Sequence, residues 1–414
     1  MLANELRKPG RRTTACAALA LCALTTATVP AQTFTTLHSF CSEIGDGCPD
    51  GQNPRAGLVQ TKDGDLYGTT EFGGAGVAGI FGTIFKITPD GTLTTLQSLG
   101  GANEGIYPYA GLIQAASGDL YGTTSQGGVN AEGTVFQIGP TGSLTTVYAF
   151  GLIHGSQPWA GLAQTANGDL YGTTNKGGRY NYGTVFRITA TGTLMTIHSF
   201  CSQGPPCTDG AYPEAGVIPG ADGALYGTTN EGGIKSCPKL GCGTIFKITP
   251  SGQLTTLHSF SWSDGGAPDA GLVQAPDGYF YGTTGDGTTG GGTVFKITPA
   301  GVLTTLYTFC SVNGCEDGGG PNGLIQAANG LLFGTTNGGG AHAGGTIFKI
   351  TPSGALSTIY SFCSQSGCAD GSAPVGALVQ AGDGSFYGAT FSGGTSRTCG
   401  SGCGTVFRLS VGPD

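Results

Sequence analysis

Two groups of residues in this chain have types and spacings that can do chemistry: paired cysteines, and a run of aromatic, basic and acidic residues in the middle of the sequence. The pairs are Cys41 and Cys48, Cys201 and Cys207, Cys237 and Cys242, Cys310 and Cys315, Cys363 and Cys368, and Cys399 and Cys403. An even count at short spacing predicts disulfides that staple loops. Each such loop closure stabilises by about 2 kcal/mol in the chain-entropy model. Cys201, Cys207, Cys237 and Cys242, and again Cys363, Cys368, Cys399 and Cys403, also reach the count of a tetrahedral zinc site. Cys41 with Cys48 and Cys310 with Cys315 stand as twos, however, so the pattern is not a four-ligand one and no metal is expected. Within the two groups of four, bonds that cross between loops remain an open connectivity.

The second group comprises Tyr107 and Tyr109 in IYPYAG, Trp159 in QPWAG, Tyr212 and Glu214 in AYPEAG, and Lys176, Arg179, Tyr180 and Tyr182 in NKGGRYNYG. Flat aromatic faces beside hydrogen-bonding and charged groups suit sugar rings or peptide segments. The plainer reading is that these rings pack on glycine-rich loops. Glu214 with Asp269 would supply the two carboxyls that glycoside hydrolysis needs. No G-x-S-x-G, H-E-x-x-H or P-loop phrase occurs, so no catalytic residue is assigned and no cofactor is expected.

What must position these residues is a repeat. The phrase LYGTT or a close variant has its aromatic at Tyr67, Tyr121, Tyr171, Tyr226, Tyr281, Phe333 and Tyr387, which makes seven units spaced 50 to 55 residues apart. Each unit also carries an AGLVQ-like, a GTVFKIT-like and an LTTLHSF-like phrase. All are short, rich in β-branched and aromatic residues and bounded by glycine or proline, which predicts strands. In GTVFKIT the period of two puts Thr, Phe and Ile on one face and Val and Lys on the other, as expected for a sheet packed on both sides. Asp63-Gly64 and its equivalents join the first strand to the second, and Pro89-Asp90-Gly91 and its equivalents join the third to the fourth. Both are tight turns in which glycine takes the left-handed position. The Asp-Gly turns resemble fragments of calcium loops but lack the remaining oxygen ligands.

Seven antiparallel four-stranded meanders predict an all-β fold, a seven-bladed β-propeller; a linear β-solenoid is the alternative, with a period usually half as long. The last unit ends on its third strand, GTVFRLS at 404 to 410, and the matching fourth strand is TFTTLHSF at residues 33–40. The ring is therefore expected to close by pairing that N-terminal strand into the last blade. The longer connectors, second to third strand and fourth to next first, share one face, and all twelve paired cysteines fall in them. The recurrent tyrosine reads as inter-blade packing, because Phe333 replaces it once. His38, His198 and His258 share one position in the fourth strand and read as surface histidines.

Residues 1–31 have basic Arg7, Lys8, Arg11 and Arg12, an apolar stretch from Ala15 to Val29 and a small-residue site at Val29-Pro30-Ala31, and read as a secretory signal peptide. Export through a twin-arginine route is the alternative. Without them, 13 basic residues face 24 acidic ones, a net charge of −11. That balance speaks against nucleic acid as a partner. Residues 32–414 are expected to form one domain, a monomer with no membrane span, secreted or held in the periplasm or at the cell surface.

The phrase DGDLYGTT, then GG, then GTIFKITPDGTLTTL resembles the bacterial tandem repeat called GloVer, over nearly all of residues 33 to 410. Members are known as choice-of-anchor proteins, but after Val411-Gly412-Pro413-Asp414 no anchoring tail is expected here. The resemblance implies an exported bacterial protein and no particular reaction. The expected role is a scaffold binding an extracellular glycan or protein ligand. An extracellular glycan-active enzyme using the loop-rich face and a structural cell-envelope component are the alternatives.

Overall fold

The computed structural model describes residues 32–42, 47–75, 81–101, 103–234, 237 and 240–412. The expected signal peptide lies outside them. Among the described residues no helix is long and apolar enough to cross a membrane.

Seven four-stranded antiparallel sheets form the blades of a seven-bladed propeller. In blade 1 the strands are Val59–Gln60, Leu66–Thr70, Thr83–Ile87 and Leu93–Ser98, and blades 2 to 6 repeat that order. Blade 7 joins Ser372–Gln380, Phe386–Ser392 and Thr405–Ser410 to the N-terminal strand Thr33–Ser39. That strand pairs with the C-terminal one from Thr33 opposite Ser410 to Ser39 opposite Thr405. It skips Leu37, a bulge also present in the outer strands of the other blades, where Leu96, Val147, Ile197, Leu257, Leu306 and Ile359 are skipped. The N-terminal segment therefore behaves as an ordinary outer strand.

Packing follows from the alternation along each third strand. Phe136 and Ile138 of blade 2 face back onto Tyr67, Ile84 and Leu99 of blade 1. Val135, one residue earlier, faces forward with Phe150 onto Leu162, Leu170, Phe186 and Ile188 of blade 3. The core is thus a set of wedges between blades, and the recurrent tyrosine sits in these wedges.

The inner strands depart from the expected length. In blades 1 to 5 only two residues pair, as in Val59–Gln60, although the AGLVQ phrase is longer. In blades 2 to 5 the alanine before that pair is engaged by the neighbouring blade. Thr69 Oγ1 donates to the carbonyl of Ala110 in the next blade at 3.1 Å, and Thr123, Thr173 and Thr228 do the same to Ala160, Ala215 and Ala270. The alanine carbonyl is taken up by the neighbouring blade rather than by its own ladder. The second threonine of each YGTT phrase bonds within its own blade instead. Its hydroxyl meets the threonine opening the third strand, Thr70 with Thr83 at 2.8 Å, in all seven blades.

Strand order puts the long connectors on one face, and six disulfides staple them: Cys41–Cys48, Cys201–Cys207, Cys237–Cys242, Cys310–Cys315, Cys363–Cys368 and Cys399–Cys403. Each bond stays within its own loop, so the crossed connectivity is not the one observed. The three histidines are not free surface groups. Each is half-buried, and its Nε2 lies against a loop carboxylate: His38 on Asp50, His198 on Asp209 and His258 on Asp264, at 2.9 to 3.1 Å. Tyr307 and Tyr360 donate to Asp317 and Asp370 in the same way. The carboxylate also accepts a backbone N–H at the start of the loop, from Cys41, Ser202, Ser261, Ser311 or Ser364. One residue thereby ties the outer strand to the connector that follows it. Burial pushes the Asp209 carboxyl up, but the hydrogen bonds from His198 and Ser202 outweigh this and hold it below the usual carboxylate value.

Phe40 is fully buried, and Phe34 stacks on Tyr360 at 3.9 Å between centroids. Losing a buried phenylalanine side chain costs about 3–5 kcal/mol, a large share of a typical folding stability of about 5–15 kcal/mol. Deleting Thr33 to Phe40 is therefore expected to leave a chain with no cooperative thermal transition, or one lowered by at least about 10 °C. The exposed change Thr35→Ala should stay within about 0.5 kcal/mol. A deletion variant that melts like the full chain contradicts ring closure by this strand.

Candidate functional site at the channel mouth

Four residues written P-x-A-G precede each paired inner segment in blades 1 to 5, and they build the site. The residue before the proline is left-handed in every blade: Asn53, Tyr107, Gln157, Tyr212, Ala267, Gly320 and Ala373 have φ between 50° and 61°. Its N–H donates to the preceding blade, as from Tyr107 to Phe81 O at 2.9 Å and from Tyr212 to Tyr182 O at 2.9 Å. Its carbonyl accepts from its own blade, Tyr107 from the Ser125 N–H and Tyr212 from the Asn230 N–H. The proline ring then seats on the glycine that opens the preceding blade's third strand. A Cβ at Gly82 would lie 2.9 Å from Pro108 Cδ, and one at Gly404 would lie 2.7 Å from Pro54 Cδ. With both sides held, the x residue is carried to the mouth of the channel.

These x residues are Arg55, Tyr109, Trp159, Glu214, Asp269 and Val375 in blades 1 to 5 and 7; blade 6 is one residue shorter and contributes Asn322. They line a cavity of about 710 Å³, inside the size range of small-molecule sites. Asn337 and Phe391, the last residues but one of the second strands Leu332–Gly338 and Phe386–Ser392 of blades 6 and 7, complete the rim. The floor is a ring of backbone at Gly57, Gly111, Gly161, Gly216, Gly271, Gly323 and Ala377.

The chemistry is uneven around the ring. In blade 1 Arg55 Nε donates to Glu71 Oε2, a carboxylate nearly buried at the end of the second strand. The guanidinium also lies over the Tyr109 ring at 4.7 Å and the Phe391 ring at 5.2 Å. Cation–π contacts of this kind add to the ion pair. Burial, and then the Glu71 charge, push the Tyr109 phenol up. Tyr109 and Trp159 stand 6.0 Å apart with their planes tilted by 56° and form an aromatic wall across blades 2 and 3. Glu214 and Asp269 follow on blades 4 and 5.

Asp269 is exposed on the side that faces the cavity, and blade atoms crowded around the rest of it displace water. That desolvation pushes its carboxyl up to about 6, with Asp286 adding like-charge repulsion. In blade 5 the residue after the second strand is Gly285, where Glu71, Ser125, Asn175, Asn230, Asn337 and Phe391 stand in the other blades. A Cβ there would lie 3.4 Å from Asp269 Oδ2. Asp269 thus lacks the side-chain neighbour that Glu71 supplies to Arg55.

Of the residues expected to bind, Tyr109, Trp159 and Glu214 meet in this cavity; the others do not. Tyr107 packs its ring on Phe72 and Phe81. Tyr212 packs on Tyr182 at 5.4 Å, beside Cys201 and Cys207. Lys176 joins a backbone bridge to Ser156, and its side chain is exposed. Arg179 lies over Tyr180 at 5.5 Å on an exposed loop. Arg55, Glu71, Asn322, Asn337 and Phe391 were not expected from sequence. Reading the x column of P-x-A-G across all seven units, rather than picking aromatic runs, brings out Arg55.

The fold and this mouth define the class: a seven-bladed β-propeller with a mixed polar and aromatic cavity on its axis. A model of the Gloeobacter/Verrucomicrobia repeat matches residues 22–240 and 236–413, and the chain belongs to that family. Nothing among the curated proteins matches it. Among solved structures, the extracellular domain of a protein assigned as a hybrid two-component system of B. thetaiotaomicron superposes with a TM-score of 0.59 at 12% identity, over 91% of this chain and 40% of that one. An alanine mutant of puromycin hydrolase superposes with a TM-score of 0.54 at 13% identity, over 91% and 56%. A gluconolactonase of Xanthomonas campestris gives 0.45 at 12%, over 92% and 91%. The chain spans less than two thirds of the first two proteins, and at these identities the likeness shows the fold alone.

A carboxyl raised from 3.8 to about 6 binds its proton more tightly in the folded state. Its contribution to stability is therefore fullest below about pH 4 and is lost as pH rises through about 6. Asp269→Asn removes that loss. Thermal unfolding across pH is expected to show the variant melting higher than wild type at about pH 8 and equal to it below about pH 4. A variant that melts lower at pH 8 would mean that the carboxylate is held by a stabilising partner.

Proposed function

We propose that this chain is an extracellular ligand-binding propeller whose site is the cavity at the channel mouth, and that the ligand is a saccharide. The observation that carries the reading is the P-x-A-G column. The flanking proline, the backbone hydrogen bonds and the glycine floor repeat around the ring, while the x position differs chemically from blade to blade and its side chains converge on one cavity. Variation confined to the converging position is what a recognition surface on a rigid scaffold requires. The tilted Tyr109–Trp159 wall offers flat apolar faces to a sugar ring. Glu214, Asp269 and Asn322 offer acceptors and an amide to its hydroxyls. Six disulfides suit an oxidising compartment.

Glycan-array and peptide-library screens of the intact chain test this. For any ligand found, Trp159→Ala and Tyr109→Ala should weaken binding about tenfold or more, and Arg179→Ala and Tyr180→Ala should leave it within about twofold. The opposite ranking moves the site to the blade 3 loop. No binding by the intact chain favours the structural envelope role.

One observation favours a second reading. Glu214 and Asp269 line the same cavity, and the raised Asp269 carboxyl has the character of a general acid. Hydrolysis of an oligosaccharide that is abolished by either Glu214→Gln or Asp269→Asn would establish a glycan-active enzyme.

A further inference from the structure

Arg55 is the cation among the lining residues, and it is engaged by Glu71 and by two aromatic faces. Its charge is met on blade 1. On the other side of the aromatic wall stand two carboxyl groups on neighbouring blades, Glu214 and Asp269. Among the described residues no lysine, arginine or histidine is set against Asp269, which is held only by its own backbone N–H and faces a second acid, Asp286. The space beside it is left open by Gly285. Asp269 is exposed to the cavity and so is open to a cation that a ligand brings.

We infer that a ligand ammonium group supplies it: the cavity is built for a saccharide bearing a free primary amine, seated with the amine at Asp269 and the ring against Trp159 and Tyr109. This rests on the saccharide reading above. An ammonium placed there gains a charge-assisted hydrogen bond to Asp269. The same geometry disfavours acidic sugars, because they would bring a third negative charge to this side of the cavity. It also disfavours N-acetylated amines, since the amide carries no charge and its added bulk fills the space beside Gly285.

The pairing needs an ionised carboxyl and a protonated amine at once. Asp286 on the same blade, Glu214 on the preceding one and the Arg55–Glu71 pair across the cavity set the field at Asp269. Binding should therefore fall off as the solution is acidified below the range in which Asp269 ionises. It should fall again when the ligand amine loses its proton.

The experiment uses the full chain and two probes of identical skeleton, a β-1,4-linked glucosamine trimer and its fully N-acetylated counterpart, titrated calorimetrically at about pH 7 and about pH 4.5. At the higher pH the free-amine trimer is expected to bind about tenfold or more tighter, in line with a charge-assisted contact. Asp269→Asn should reduce that preference to about threefold or less while measurable binding of the acetylated trimer persists, a readout that a merely unfolded variant would not give. At the lower pH the wild-type preference should shrink as well. Equal binding of the two trimers, a preference for the acetylated one, or a preference that survives Asp269→Asn overturns the inference and leaves the saccharide site standing. A trilysine peptide that binds as tightly as the amine trimer overturns the saccharide part. Absence of binding by either trimer overturns the inference, and the fate of the site itself is then read from the Trp159→Ala and Tyr109→Ala comparison.

Discussion

The inner strands of blades 6, 7, 1, 2, 3 and 4 meet at backbone distance around one axis, and the rest of the structure depends on that approach. A Cβ at Gly216 would lie 2.5 Å from Gly161 O, one at Gly111 would lie 3.0 Å from Gly57 O, and one at Gly57 would run into the carbonyl of Ala377. Glycine is used here for the absence of a side chain rather than for a left-handed backbone. In blades 2 to 5 the alanine carbonyl comes within reach of the preceding blade's threonine, which stitches blade to blade. At the seam, Ala389 stands where that threonine is expected. The bent backbone at Gly376, with φ of 63°, places Ala377 against Gly57 instead. Closure at the centre is thus by close contact, while closure at the rim is by the N-terminal strand.

The same convergence makes the site. Because the scaffold holds the residue on either side of x, the chain can place an arginine, a tyrosine, a tryptophan, a glutamate or an aspartate there without changing the blade. Asp269 shows the compromise this allows. Asp269 is exposed to the cavity, desolvation by the surrounding blades still works against its charged form, and among the described residues no lysine, arginine or histidine is set against it, the balance expected of a group kept for a ligand rather than for folding.

The number of blades, their four strands and the pairing of the N-terminal strand were legible in the sequence, because each rests on local phrases repeated seven times; the cysteines were legible as loop staples, with the connectivity of the two groups of four left open. Less legible was whatever depends on neighbours distant in the chain. The hydrogen bonds that stitch blade to blade cross a blade boundary, as from Thr69 to Ala110. His198 reads as a surface residue until the connector folds back and brings Asp209 to its ring. The site was partly legible: Trp159 and Glu214 stand out by type, whereas Tyr107 and Tyr212, equally conspicuous, occupy the left-handed position before the proline and face packing instead. Arg55 drew no notice because one arginine in a loop carries no signal alone. Its partner Glu71, its stacking ring Phe391 and its place in the x column are what give it meaning.

The most direct test compares two alanine substitutions on the glycine ring. Neither Gly57 nor Gly271 has a left-handed backbone, but a Cβ at Gly57 meets Ala377 while one at Gly271 has nothing within 4 Å. Denaturant unfolding of the two variants should show Gly57→Ala destabilised by about 1–3 kcal/mol or more, as overpacking against backbone demands. Gly271→Ala should be neutral or more stable by up to about 1 kcal/mol, because alanine narrows the unfolded ensemble. Equal effects at the two positions would contradict the account, since the inner strands would then not converge as described.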